Sequence, residues 1–305
     1  MHITLLILFF GASRTVVAMC SAGVLLFLIG LWATKSDIAR AYRLDKFVAA
    51  TNLCFAIPLA VFGALHLANI AFVLPAVPAY MPFRLFWAYL VGVALIAAAL
   101  SIATKIQVFW SGLLFGTMMF LFVLMSDLPG ALANPRDRFG WTLLLRELSF
   151  AAGGWLLAAS AMRSPHKSKL VTVGRIILGV TAIFYGVEHF LHPLHCPGVP
   201  LEKLMPTYIP LRPIIGILSG TILFVAGAAI LANKKTRLAA TYLGTWIVLL
   251  VVFVYGPILI VQLLEPNMMA QVEGINYFAD TLLFAAAILA LACATPEVGG
   301  PPTVD

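Results

Sequence analysis

Charge is scarce in this chain: Asp, Glu, Lys and Arg make up 10% of its 305 residues, against roughly a quarter in soluble domains. A water-facing surface cannot be covered from that supply, which excludes an ordinary soluble enzyme or binding module. Cysteine is also sparse, with four residues at Cys20, Cys54, Cys196 and Cys293 and no Cys-x-x-Cys pair, so thioredoxin-like dithiol exchange has no motif to run on. No P-loop, dinucleotide fingerprint or Gly-x-Ser-x-Gly elbow occurs, and nucleotide and serine-hydrolase chemistry lose their sequence support. What replaces charge is apolar length. Hydrophobic residues reach 62% and the mean hydropathy is +1.04, in runs long enough to cross the ~30 Å hydrocarbon core.

These runs predict an all-α polytopic membrane bundle of about nine spans, near 15–34, 47–72, 84–103, 107–126, 141–162, 171–192, 212–232, 238–264 and 275–294. Lys35, Arg40, Arg43, Lys46, Lys105, Arg163, Lys167, Lys169, Lys234, Lys235 and Arg237 all fall on one side of a nine-span chain. The positive-inside rule makes that side cytoplasmic, so the N-terminus is expected outside and the C-terminus inside, in a plasma (bacterial inner) membrane. The net charge of +7 belongs to these loops and implies a lipid bilayer as partner, with no nucleic acid. Residues 2–12 lack the basic start of a secretory signal and are expected to stay uncleaved, while 296–305 reads as a disordered Gly/Pro tail.

The chain also repeats itself. Gly63-x-x-His66 returns as Gly186-x-x-His189 at an offset of 123, and Tyr80-Met81-Pro82-Phe83-Arg84 returns as Tyr208-Ile209-Pro210-Leu211-Arg212 at 128, with Gly92 matching Gly220. Two four-span units, 47–162 and 171–295, are expected after an N-terminal span and loop, 1–46. An even number of spans per unit makes them parallel repeats. Within the spans, ionisable residues are costly and mark candidate sites. His66, Arg146 and Glu147 in the first unit, and Glu188, His189 and Asp280 in the second, are expected in one outer layer, joined by the Tyr80/Arg84 and Tyr208/Arg212 corners. Such a layer suits taking protons from a quinol, holding a quinone carbonyl, or the clamping of an anionic substrate by the arginines. Its bland alternative is mutual pairing, Arg146 with Glu147 or a neighbour, His66 with Glu147 and His189 with Asp280, which orients helices without chemistry. His192, His195 and Cys196 form a second candidate, for a metal ion, and a haem between His66 and His189 is a further possibility to test.

The Gly-x-x-His helix end, the Pro-containing loop, the Gly-rich following helix and Arg146-Glu147-Leu148 before Gly153-Gly154 resemble the DoxX/DoxD family, as two tandem copies over nearly the whole chain. The family's acidic residue after the second-helix glycine is replaced by Leu95 and Leu223. The resemblance implies four-helix membrane bundles and, in some members, subunits of quinone-linked oxidoreductases such as thiosulfate:quinone oxidoreductase. On it, His66, His189, Glu147 and Asp280 would face a quinone, and partner subunits are expected. Three readings stand open: a redox-complex subunit, a non-catalytic scaffold, and an outer-face metal or small-solute handler.

Overall fold

A chain in lipid must satisfy its backbone polar groups internally, and these apolar runs do so as helices. The computed structural model describes residues 13–162, 166–199 and 201–295. The readings for 2–12, Arg163 and 296–305 fall outside these residues. Among the described residues nine helices are long and apolar enough to span a membrane: α1 Arg14–Arg40, α2 Thr51–Ala68, α3 Arg84–Thr104, α4 Val108–Ala133, α5 Arg138–Ser160, α6 Lys167–Leu191, α7 Arg212–Leu231, α8 Thr236–Leu263 and α9 Met268–Ala294. The protein is an all-α polytopic bundle.

Local chemistry decides where the helices stop. Asn69, at φ −143° and ψ 72°, ends α2, and its side chain accepts from Phe72 N to start the short turn Ile70–Val73. The run 47–72 is therefore broken rather than one continuous span. Asp137 and Asn267 cap α5 and α9 by accepting from Phe139 N and Met269 N. The last span begins earlier than its apolar run because its first polar turns are satisfied: Gln271 Nε2 donates to the carbonyls of Leu263 and Glu265.

Small residues set the packing. From Thr281 to Ala292, α9 is buried without interruption, and α2 and α5 are the other largely enclosed helices. On the outside, α1 presents Leu25, Leu28 and Trp32, and α8 presents Phe253 and Ile260, to the apolar surroundings. Between membrane helices association rests on close van der Waals fit. A Cβ on Gly112 would lie 2.7 Å from Gly154 O, and one on Gly154 would lie 2.7 Å from Gly112 O. Gly154→Val is accordingly expected to cost about 1–3 kcal/mol by forcing α4 off α5, visible as a lowered detergent melting temperature.

The backbone repeats at the same offset of 128. Phe83 and Leu211 both adopt left-handed φ (55° and 54°), as do Gln107 and Lys235 (56° and 50°). Each sits just ahead of a helix. A π-turn interrupts α4 at Val123–Asp127 and α8 at Val251–Tyr255, each followed by a residue and then a proline, Pro129 and Pro257. One end of the bundle gathers His66, the end of α4 and the starts of α5 and α9. The other carries Lys105 paired with Asp37, and Arg237 paired with Asp45 at 2.8 Å.

Candidate functional site

The His-bearing end of α2 is pinned by two glycines. A Cβ on Gly63 would be 3.0 Å from Gly92 O, and one on Gly92 would be 2.8 Å from the His66 Cβ. The second unit copies this contact: Gly186 approaches Gly220 O at 2.9 Å, and Gly220 approaches the His189 Cβ at 2.9 Å. The Gly-x-x-His motif is thus a close-packing device that places an imidazole at a defined point against the next helix. In the first unit His66 Nδ1–H donates to Phe62 O at 2.9 Å. Because that carbonyl only accepts, the neutral ring carries its proton on Nδ1 and leaves Nε2 as a free acceptor.

That ring lines a cavity of about 450 Å³, walled by Phe62, Leu65, Trp87, Val91, Leu95, Phe115, Met119 and Phe150, and closed at its polar end by His66, Asp127, Arg146, Glu147, Asn276 and Asp280. Trp87 in the wall is 38% exposed, so the cavity is not sealed from the apolar surroundings. Arg146 organises the polar end. Its Nε and Nη2 donate to Glu147 Oε1 at 3.1 and 2.7 Å, and its Nη1 donates to Asp280 Oδ2 at 2.9 Å. Two acids and one guanidinium form a closed cluster that ties α5 to α9. The Asp127 side chain makes no hydrogen bond to another described residue, and the Asn276 Oδ1 is buried without a partner. Arg146, Asn276 and Asp280 also line a second, more open cleft with Asn267, Glu273 and Tyr277. The cluster therefore forms a polar partition between the membrane cavity and the loop end.

The second unit repeats the backbone but not the site. His189 is fully buried, and its Nε2 accepts from Gly198 N at 3.0 Å. Tyr255 Oη donates to Pro197 O at 2.7 Å. The loop between α6 and α7 folds inward, held by Cys196 N to Lys203 O and Met205 N to Leu194 O, with Cys196, Val199, Leu201 and Met205 all buried. Its Pro197–Gly198 peptide thus sits between His189 and Tyr255, the counterparts of His66 and Asp127, which line the cavity in the first unit. The offset change from 123 to 128 is the five extra residues that let it do so.

Several sequence expectations are corrected. Asp280 pairs with Arg146 rather than His189, and His66 bonds its own helix rather than Glu147. Glu188 belongs to a separate ion pair, with Arg138 at 2.8 Å. The two corners stay out of the cavity: Arg84 donates to the carbonyls of Leu74 and Val77 at 2.7 Å each, Arg212 to Met205 O at 3.1 Å, and Tyr80 to Met125 O at 3.1 Å. Tyr208 is 48% exposed. An arginine in the first turn of a helix reaches back to the loop it follows, so the repeated arginine marks loop anchoring rather than substrate. The metal candidate does not assemble. His192 and His195 stack at 4.9 Å between ring centroids, Cys196 is turned fully inside, and no group of three or more potential ligands gathers among the described residues. His189 Nε2 is taken by the Gly198 amide and so is not free to ligate a haem iron in this arrangement. Asp127 and Asn276 were missed. Asp127 stood just beyond the predicted span, and only its match to Tyr255 at 128 hints at it.

The chain matches no protein-family model, curated protein or solved structure.

Proposed function

We propose that this chain is an integral membrane subunit of a quinone-linked redox complex, of the DoxX-like kind, whose first-unit cavity binds the quinone head. The supporting observation is the cavity itself, apolar and aromatic over most of its wall, with His66, Asp127, Glu147 and Asp280 among its polar lining, as an amphipathic ring compound requires. The two hydroxyl protons of a bound quinol go one to His66 Nε2 and one to the Asp127 carboxylate, each acting as general base. Asp280, Asn276 and Glu273 line the way from the cavity to the open cleft, the route by which those protons leave. The two electrons of quinol oxidation pass to a redox centre in a partner subunit. With the basic loops cytoplasmic, the site lies beneath the external face of the plasma membrane.

Ala88, 1% exposed, lines the cavity from α3. Protein purified in mild detergent is expected to carry quinone by mass spectrometry, and Ala88→Trp, which fills the space, to carry at most a tenth as much. Quinone missing from the wild type while abundant in the source membranes would defeat the proposal. A scaffold reading draws on the closed Arg146–Glu147–Asp280 cluster, which locks α5 to α9 whether or not a ligand binds. It predicts unchanged complex activity in Ala88→Trp.

A further inference from the structure

The filled second site shows what its hydrogen-bonding groups hold. Between His189 Nε2 and Tyr255 Oη lies a single peptide group: its N–H, from Gly198, is donated to the histidine at 3.0 Å, and its carbonyl, from Pro197, accepts from the tyrosine at 2.7 Å. The positions that correspond in the first unit are His66 and Asp127. His66 matches His189 through the same glycine contacts. Asp127 matches Tyr255 as the last residue of the equivalent π-turn. The histidine keeps its role, because the Nδ1–H bond to Phe62 leaves Nε2 as an acceptor. The second position changes sign: a hydroxyl donor is replaced by a carboxylate acceptor on a shorter stem, which also widens the gap. At these two positions the second site offers one donor and one acceptor, whereas the first offers two acceptors.

Resting on the quinone reading of this cavity, we infer that it selects the reduced ligand: a quinol, whose hydroxyls donate to His66 Nε2 and to the Asp127 carboxylate, over the quinone, which has only carbonyl acceptors. An acceptor facing an acceptor forfeits the bond and leaves a desolvated lone pair unpaired, so the two redox forms differ in binding and not only in reactivity. The site then belongs on the oxidising side of a redox reaction, loading quinol and releasing quinone.

The test measures binding of a water-soluble short-chain quinol, its quinone and its dimethyl ether to the purified full-length protein under anaerobic conditions by calorimetry. One lost hydrogen bond of this kind corresponds to about tenfold in affinity. Quinol is expected to bind at least about tenfold tighter than quinone, with the dimethyl ether no better than quinone. Asp127→Asn, which supplies an amide donor, narrows the ratio by strengthening quinone, a gain that a misfolded variant cannot produce. His66→Leu lowers quinol affinity about tenfold and leaves quinone unchanged. Quinone binding as tightly as quinol overturns the inference. If neither redox form binds, the quinone reading fails, and the donor rule is read from a simple alkylphenol against its methyl ether: preference for the phenol upholds it and equal binding overturns it.

Discussion

Arg146→Met is expected to destabilise the protein by about 3–5 kcal/mol, the cost of leaving partly desolvated acids without their cation. Glu147 and Asp280 are both largely removed from solvent, at 16% and 14% side-chain exposure, and share the one guanidinium. The loss is not the worth of the ion pairs, since a pair of this kind returns little over its desolvation. It is the penalty for the orphaned charges. Restoring neutrality identifies the cause: adding Glu147→Gln and Asp280→Asn to Arg146→Met is expected to recover more than half of the lost stability. Thermal unfolding in detergent across this set measures the coupling. If the triple variant is as unstable as Arg146→Met alone, the role of the arginine is packing rather than charge.

Gly198→Pro is expected to expel the loop that fills the second site. Gly198 sits at φ +100°, a conformation closed to proline, whose ring holds φ near −65°, and the substitution also deletes the N–H that His189 accepts. Cys196 reports the outcome. In the intact protein burial pushes its thiol up to about 12, so that at pH 8 roughly one molecule in 10⁴ carries the reactive thiolate. Freed into solvent, a cysteine has an ordinary value of about 8.5. Maleimide labelling of Cys196, followed by peptide mapping, is then expected to accelerate on the order of a thousandfold. Labelling at the wild-type rate would mean that the loop stays in place without either feature. The substitution also opens a space between the His189 acceptor and the Tyr255 donor, and quinol stoichiometry rising from one towards two would show that the second site keeps its recognition once emptied.

Much of this arrangement was readable from residues alone, and the part that was not has identifiable causes. Nine spans followed from apolar length, and the layer holding His66, Arg146, Glu147 and Asp280 followed from counting residues inward from helix ends. The partners within that layer did not follow, because helix rotation decides which side chains face: Asp280 turns to α5, and Glu188 turns to Arg138. The π-turn that brings Asp127 into the cavity wall leaves no mark on hydropathy. The left-handed residues Phe83 and Leu211 carry no glycine to signal them. The change of offset from 123 to 128 was visible, yet an insertion shows only as length until its peptide is found bonded to His189.

The contact between α5 and α9 has a consequence for how any ligand moves. A Cβ on Gly153 would lie 2.5 Å from the Ala287 Cβ, so the two repeats touch backbone to side chain, with no slack at the seam, and the Arg146–Asp280 bond clasps its site end. Carriers built from repeated halves work by rocking one half against the other around a fixed midpoint. Here that motion would have to tear apart a close-packed seam that an ion pair also holds. On the proposed function, loading and release fall to the flank of the first repeat, where Trp87 is 38% exposed, and the protein acts as a docking berth in the bilayer rather than a pump across it.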